Sequence, residues 1–177
     1  MFRWLRVAAT GIIVSAGTAQ ASDNLIQSGQ WRYFADTVMG GVSQGGVAVE
    51  QTPAGAAIRL MGTVSTANKG GFIQVQTVIP RGMADGAQGV RLRVRGNGEA
   101  YMVHLRTTGT RLPWHVYQAS FEAGPAWSEV RLPFAAFEPS SRMLRRQLRP
   151  DSLTTLGVVA YGKDYDADIS VAEVGFY

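Results

Sequence analysis

Two glycine-rich segments decide how this chain is to be interpreted: Asp36-Thr37-Val38-Met39-Gly40-Gly41-Val42-Ser43 and Asn68-Lys69-Gly70-Gly71-Phe72. Each pairs polar residues with two consecutive glycines, which favour tight turns and close backbone approach. Asp36 and Thr37 can hydrogen-bond to nearby backbone and stabilise an irregular loop. Val38 and Met39 are apolar, which suggests that the loop folds back against a core. Two interpretations stay open: a structural clasp at one end of a β-fold, or a binding loop that uses Asp36, Thr37 and Asn68.

Short alternating segments on both sides of this region predict β-strands. Residues 46–50 and 57–61 predict a hairpin around Pro53 and Gly55. Residues 90–95 alternate strictly, and Gly96-Asn97-Gly98 predicts a hairpin turn to residues 100–107. Further strands are predicted at 25–26 with 31–34, 72–79, 114–121, 127–132, 156–161 and 169–177. With no convincing amphipathic helix, the pattern predicts an all-β fold, a jelly-roll β-sandwich.

Residues 1–21 have the features of a secretory signal peptide. Arg3 and Arg6 form a basic start, residues 7–17 are apolar, and Ala19-Gln20-Ala21 is a cleavage motif. The apolar run is short for a bilayer span, and an uncleaved anchor is the alternative. We therefore expect a single β-sandwich domain over residues 22–177, located in the periplasm or secreted.

Composition and motifs argue against several classes of function. The net charge is +4, and without Arg3 and Arg6 the basic excess is too small to indicate nucleic-acid binding. The chain has no cysteine and no GxSxG, HExxH or P-loop motif. Two histidines, His104 and His115, are too few for a zinc site. Asp164, Asp166 and Asp168 lack the pattern of an EF-hand and are interpreted as a solvated turn, with calcium as the alternative. We expect no enzyme activity, no cofactor and no metal.

A candidate binding surface follows from the strand alternation. Arg91, Arg93 and Arg95 share one face of a predicted strand, and the predicted hairpin places His104 and Arg106 beside them. Trp114 and Gln118 share a face of the next predicted strand and extend this surface. Guanidinium groups suit carboxylates, phosphates and amides, and an exposed tryptophan can stack on a ligand. The alternative is an ordinary hydrated sheet face. The complete set of candidate binding residues is Asp36, Thr37, Asn68, Arg91, Arg93, Arg95, His104, Arg106, Trp114 and Gln118.

The order of several motifs carries a family resemblance. DTVMGGVS at 36–43 and NKGGF at 68–72 precede GVRLRVRGNGEAYMVHLRT at 89–107, VYQASF at 116–121 and WSEVRLPFAAFEP at 127–139. This closely resembles the family of the mitochondrial complex I intermediate-associated protein, an assembly factor for NADH:ubiquinone oxidoreductase. The resemblance implies a galactose-binding-like sandwich, the architecture of many carbohydrate-binding modules, with no known catalytic residues and no required cofactor. The mitochondrial relatives act in the matrix, whereas this chain has a secretory leader. We therefore expect membership of the family to apply to this chain more readily than the assembly-factor activity.

The sequence thus favours a non-catalytic, exported, assembly-factor-like module that holds a protein partner. The alternative is a carbohydrate-binding module for a cell-envelope glycan. We expect no nucleic-acid partner and no membrane span after cleavage of the leader. An arginine-rich face beside the irregular segment 138–150 would favour a protein partner. A pocket with aromatic rings and amide groups would favour a sugar.

Overall fold

Two antiparallel β-sheets face each other in the computed structural model, which describes residues 24–177. The strands are β1 Arg32–Ala35, β2 Gln44–Thr52, β3 Gly55–Val64, β4 Phe72–Val78, β5 Gly89–Gly96, β6 Ala100–Thr107, β7 Tyr117–Glu122, β8 Ser128–Pro133, β9 Glu138–Pro139, β10 Leu153–Tyr161 and β11 Tyr165–Phe176. The six-stranded sheet has the order β1-β4-β10-β6-β7-β9, and the five-stranded sheet has the order β2-β3-β11-β5-β8. The all-β sandwich prediction is confirmed. The predicted leader lies outside the described residues.

The core forms where the apolar halves of the alternating strands meet. Leu92 and Val94 of β5, and Val103 and Leu105 of β6, are completely buried, as their alternation predicts. Burial of each such side chain contributes roughly 1.5–3 kcal/mol relative to exposure. Because every second residue points inward, the remaining residues of each strand form two separate outer faces, one on each sheet.

The predicted hairpin around Pro53 and Gly55 is confirmed. β2 pairs with β3 from Gln44 opposite Thr63 to Thr52 opposite Gly55. The Thr52 hydroxyl donates to the Gly55 carbonyl at 2.7 Å and accepts the Ala54 N–H at 3.2 Å, which fixes the turn.

The predicted hairpin at Gly96-Asn97-Gly98 is wrong. β5 pairs with β11 and β8, whereas β6 pairs with β10 and β7 in the other sheet. The turn therefore carries the chain across the sandwich. Asn97 fixes this crossing, because its side chain donates to the Asp166 carbonyl at 2.7 Å and accepts the Tyr101 hydroxyl at 2.7 Å.

Two smaller boundaries also differ from the predictions. Leu25 and Ile26 begin a one-turn helix, α1 Leu25–Ser28, because the Asn24 side chain accepts the Ile26 N–H and caps it. The strand predicted from residue 114 begins at Tyr117, since residues 112–114 form a turn. No helix between residues 24 and 177 has the length and apolar character needed to cross a bilayer.

Candidate functional site

A buried carboxylate joins the two glycine-rich segments. Asp36 begins a short 3-10 helix, Asp36–Met39, directly after β1, and its side chain is fully buried. It accepts the Ser43 N–H at 3.0 Å and the Ser43 hydroxyl at 2.5 Å. It also accepts the Gly71 N–H at 2.5 Å and the Phe72 N–H at 3.2 Å. Ser43 leads into β2 and Phe72 begins β4, so one carboxylate ties both sheets together at this end of the sandwich.

The two glycine pairs make room for this carboxylate. Gly40 and Gly71 have positive φ angles of 89° and 127°, which confirms that the pairs include left-handed positions. Gly41 and Gly70 have a different role, because a Cβ on either would collide with the Asp36 side chain. The contacts therefore support the clasp interpretation of this region.

The buried position of Asp36 corrects its assignment to a binding surface. Burial raises the pKa of Asp36, but the hydrogen bonds from Ser43, Gly71 and Phe72 lower it more, so the net pKa lies below its usual value. A fully buried carboxylate with these donors holds the fold and does not face a ligand. Thr37 remains exposed on the clasp.

The loop that Asp36 holds presents apolar side chains to solvent. Val38 and Met39 are 72% and 60% exposed, so the prediction that they fold back against a core is wrong. Val42 is also exposed. Asn68 lies on the other segment of the clasp, where it is exposed and has a φ angle of 56°. The clasp thus has a hydrogen-bonded polar interior and exposes apolar as well as polar side chains.

The predicted arginine face lies on the five-stranded sheet, where carboxylates of the same sheet oppose it. The Arg93 Nη1 atom lies 3.7 Å from Glu173 Oε1, and the Arg95 Nη2 atom lies 3.3 Å from Glu50 Oε2. Arg91 lies beside them on the same face, where its Nε is buried without a hydrogen-bond partner among the described residues. Further ion pairs on this face join Arg59 with Glu50 at 3.3 Å and Asp168 at 2.6 Å, and Arg131 with Glu129 at 2.6 Å. Much of the predicted positive charge is therefore already balanced.

The predicted continuous surface of Arg91, Arg93 and Arg95 with His104 and Arg106 does not form. The inward residues of β5 and β6 face each other across the core, so their outward residues point in opposite directions. This prediction failed because the turn at Asn97 crosses between the sheets.

Arg106 is engaged with a neighbouring loop. Its guanidinium donates to the carbonyl oxygens of Thr110, Leu112 and Pro113 at 3.3, 3.0 and 3.1 Å. These bonds fix the loop that carries Trp114, which is 63% exposed at the edge of the six-stranded sheet. Arg106 therefore positions the tryptophan and is not free to bind a ligand.

A polar row crosses the outer face of the six-stranded sheet from edge to edge. From β1 to β9 it consists of Arg32, Gln76, Gly157, His104, Gln118 and Glu138, each opposite the next in register. The predicted site residues His104 and Gln118 are direct neighbours in it. Gln74 lies beside the row and donates to the Gln76 side chain at 3.3 Å. The amide groups supply both donors and acceptors.

A glycine lies in the middle of the polar row. Gly157 does not have a positive φ, and a Cβ there would make only ordinary contacts, the nearest being the Val75 carbonyl oxygen at 3.4 Å. Neither the backbone nor close packing at the Cβ position therefore requires glycine at this position. A glycine inside a strand often marks a place where a ligand or another backbone comes close.

A hollow opens at the β1 end of the polar row. Its volume is about 450 Å³, and Arg32, Phe34 and Gln76 line the side toward the row. Small-molecule sites are typically clefts of about 300–1,000 Å³. The hollow adjoins the polar row at Arg32 and Gln76, and its own lining is mainly apolar, with Leu25, Phe34 and Val78.

Aromatic rings flank the row. Tyr161 is 49% exposed and lies opposite Phe72 in register, and Phe72 packs edge-on against Phe34 at 6.3 Å. The Tyr161 ring is 6.2 Å from the His104 ring. Burial lowers the pKa of His104 to about 4, so the imidazole is neutral at physiological pH. Within the described chain its buried Nε2 has no hydrogen-bond partner.

The acidic series near the C-terminus does not converge on one point. Asp164 accepts two hydrogen bonds from Thr66, Asp166 accepts one from the Thr63 hydroxyl, and Asp168 pairs with Arg59. Across residues 24–177, no group of three or more potential ligands is placed to hold a metal ion.

The sequence prediction missed Gln74, Gln76, Gly157 and Tyr161. A signal for the first two was present, since two glutamines alternate within the apolar strand β4. Gly157 interrupts the apolar run of β10 in the same way. Their placement in one row depends on the strand order of the sheet, which local sequence does not reveal.

The comparisons with known sequences point to one family. The sequence profile of the family described as complex I intermediate-associated protein 30 (CIA30) matches residues 19–170, which confirms the resemblance seen in the motifs. No curated protein matches the chain.

Several solved structures share the fold. A family 11 carbohydrate-binding module from Clostridium thermocellum, in complex with a β-1,3-1,4-mixed-linked tetrasaccharide, has a TM-score of 0.66 at 13% identity, covering 82% of this chain and 87% of that chain. The family 11 module of the cellulosomal cellulase Lic26A-Cel5E of the same organism has a TM-score of 0.67 at 12% identity, covering 82% and 86%. The family 30 module of the C. thermocellum cellulase Cel9D-Cel44B has a TM-score of 0.55 at 11% identity, covering 77% and 90%. At these identities the likeness shows the sandwich fold alone.

Proposed function

This chain belongs to the complex I intermediate-associated protein 30 family, and we propose that it is a non-catalytic binding module whose ligand lies along the polar row of the six-stranded sheet. The ligand class that suits this row is a neutral, hydroxyl-rich chain, such as a glycan of the cell envelope. The polar row itself carries this proposal.

The chemistry of the row favours hydroxyl groups over ions. Gln76 and Gln118 carry uncharged amides, each able to donate and to accept hydrogen bonds, as sugar hydroxyls also can. His104 is neutral, because burial keeps its pKa well below physiological pH. The charged residues of the row, Arg32 and Glu138, lie at its two ends and have opposite signs. A neutral polymer can therefore cross the sheet without burying an unpaired charge.

The shape of the face also supports this ligand class. Gly157 places no side chain in the middle of the row, and the hollow beside Arg32 has room for a compact ring. Tyr161 and Trp114 are exposed aromatic side chains near the row, and their ring faces can cover the apolar face of a sugar. Modules of the same fold bind oligosaccharides, as the family 11 complex with its tetrasaccharide illustrates.

A binding panel tests the proposal. Wild-type protein is titrated by calorimetry with neutral oligosaccharides, starting with the mixed-linked tetrasaccharide. We expect saturable binding to at least one of them. The double variant Gln76→Ala, Gln118→Ala should bind that oligosaccharide about tenfold or more weakly, because two hydrogen bonds are lost. Arg93→Gln, on the opposite face, is the matched control and should bind as wild type. Absence of binding across the panel, or an equal loss in the control, would contradict the proposal.

A protein partner is the second candidate, and a different surface favours it. Val38, Met39 and Val42 are exposed on the loop held by Asp36, and Val47 and Val49 are exposed on the neighbouring edge strand β2. Fixed apolar side chains of this kind suit a protein interface. The variant Met39→Glu should abolish capture of such a partner from the native cell envelope and leave the Gln76 and Gln118 surface intact. Equal capture by wild type and variant would eliminate this candidate.

We also propose export to the periplasm or the medium, on the basis of the predicted leader over residues 1–21. The mature N-terminus should be Ser22. N-terminal sequencing of the protein isolated from its native cell tests this, and an intact Met1 would contradict it.

A further inference from the structure

A second hollow lies at one end of the sandwich, apart from the polar row. Its volume is about 660 Å³. The chain after β4, the turn after β6 and the irregular segment before β10 enclose it, and buried Ile79, Thr107 and Tyr117 form its floor. The proposed function does not use it.

Hydrogen bonds hold the walls of this hollow in place. The Tyr117 hydroxyl donates to the Arg145 carbonyl at 2.9 Å, which fastens the irregular segment to the sheet. The Thr108 N–H donates to the Ser152 carbonyl at 2.9 Å, and the Ile79 N–H donates to the Thr154 carbonyl at 2.9 Å. The hollow is therefore part of the folded domain and needs no ligand to form it.

The charges that line the hollow are predominantly positive. Arg81, Arg145 and Arg149 line it, together with one acidic residue, Asp151. Arg149 and Asp151 pair with each other. Within residues 24–177, the guanidinium groups of Arg81 and Arg145 take part in no ion pair, in contrast to Arg93 and Arg95 on the five-stranded sheet. Thr108 and Thr154, which carry hydroxyl groups, line the same space, whereas the Ser152 hydroxyl donates to the Arg149 carbonyl at 2.7 Å.

We propose that this hollow is a binding site for an oxyanion, a carboxylate, sulfate or phosphate group, carried by a small polar ligand. Guanidinium groups bind such groups through paired, charge-assisted hydrogen bonds, and hydroxyl groups complete the contacts. Arg81 and Arg145 supply the charge, and the hollow limits the ligand to the size of one or two sugar rings or a comparable molecule. Val78 lines both hollows, so the two adjoin at this residue. The inference does not depend on the proposed function.

Amide chemical shifts of the wild-type protein test this site at low ionic strength. The probes are sodium glucuronate, inorganic phosphate and inorganic sulfate, with glucose as the neutral counterpart of glucuronate. The anions should shift the amides of Thr108, Gly109 and Ser152 saturably, and glucose should not. Tighter binding of glucuronate than of phosphate identifies an acidic sugar as the source, and the reverse order identifies a phosphate group. No saturable shift with any anion, or an equal response to glucose, would overturn the inference.

Two variants of equal charge separate a specific site from a general charge effect. Arg81→Gln, Arg145→Gln removes the two unpaired guanidinium groups of the hollow and should weaken anion binding about tenfold or more. Arg142→Gln, Arg146→Gln removes the same charge from two exposed residues of the neighbouring segment that do not line the hollow, and should change binding less than about twofold. An equal loss in both variants would mean that the anions respond only to net charge, which would overturn the inference. Unchanged melting temperatures serve as the folding control.

Discussion

At the scale of single residues, Asp36 is the side chain that joins the two glycine-rich segments. Its carboxylate is fully buried and accepts hydrogen bonds from Ser43, Gly71 and Phe72, which belong to different parts of the chain. Hydrogen bonds to a charged group contribute about 1.5–3 kcal/mol each. Removing the acceptor also leaves buried N–H groups without partners, which adds to the loss.

We predict that Asp36→Asn lowers the free energy of unfolding by about 3 kcal/mol or more, because the amide replaces one acceptor oxygen with a donor. Asp164→Asn, which changes an exposed carboxylate, is the control and should cost much less. Denaturant unfolding measures both. The folded-state pKa of Asp36 is lowered, so its contribution is complete above the usual carboxyl pKa and disappears as the pH falls through the folded pKa. The Asn variant should lack this acid-dependent loss, and equal stability of wild type and Asp36→Asn would contradict the clasp.

The second glycine of the first pair gives an independent test of the same clasp. Gly41→Ala should destabilise the domain, because the added Cβ would collide with the Asp36 side chain. Gly124→Ala is the matched control, since a Cβ there meets nothing within 4 Å and its φ is not positive. A drop in melting temperature for the first variant only is the expected result. If both variants melt like wild type, the space around Asp36 is not restricted.

His104 should make stability depend on pH in a separate range. Burial lowers its folded pKa to about 4, below the ordinary 6.5, so the unfolded chain binds a proton that the folded chain excludes. Stability should therefore fall as the pH decreases from 6.5 toward 4, by up to about 3 kcal/mol. His104→Gln should remove this slope and keep the steeper loss at lower pH. Unfolding measured across this range checks the prediction, and identical pH profiles would refute it.

At the scale of elements, sequence patterns predicted which residues point inward but not which strands are neighbours. The alternation of β5 and β6 identified Leu92 and Leu105 as core residues, because period-two burial is local. The Gly96-Asn97-Gly98 turn was misassigned, since a short glycine turn suits a hairpin and a crossing between sheets equally well. The candidate surface was divided for this reason: Arg91, Arg93 and Arg95 stayed together on one sheet, and His104 and Gln118 are neighbours on the other.

If the polar row is the ligand site, a substitution at Gly157 should weaken ligand binding without preventing folding. Gly157→Val should leave the domain folded, because a Cβ at this position makes only ordinary contacts and valine suits a strand. The same side chain should occupy the space in the middle of the row and weaken oligosaccharide binding about tenfold or more. Calorimetry and thermal melting of one preparation check both effects. Full binding by a folded Gly157→Val variant would exclude the row as the ligand site.

At the scale of the whole molecule, the two outer faces have different chemistry. The five-stranded sheet carries arginines balanced by carboxylates, such as Arg95 with Glu50 and Arg93 with Glu173. The six-stranded sheet carries neutral amides, an imidazole and aromatic rings. An exposed ion pair contributes roughly 0–1 kcal/mol to the free energy of unfolding, and its charged groups lose hydration when a ligand covers them. An amide side chain can instead exchange a hydrogen bond to water for one to a ligand hydroxyl group. We therefore propose the six-stranded sheet, and not the arginine face, as the ligand-binding face.

The most direct test of this assignment is a map of amide chemical shifts during titration with the tightest-binding neutral oligosaccharide of the panel. We expect saturable shifts at Gln76, His104, Gln118 and Gly157, with the amides of Arg93 and Arg95 unchanged. Shifts confined to the arginine face, or to the loop of Val38 and Met39, would contradict it.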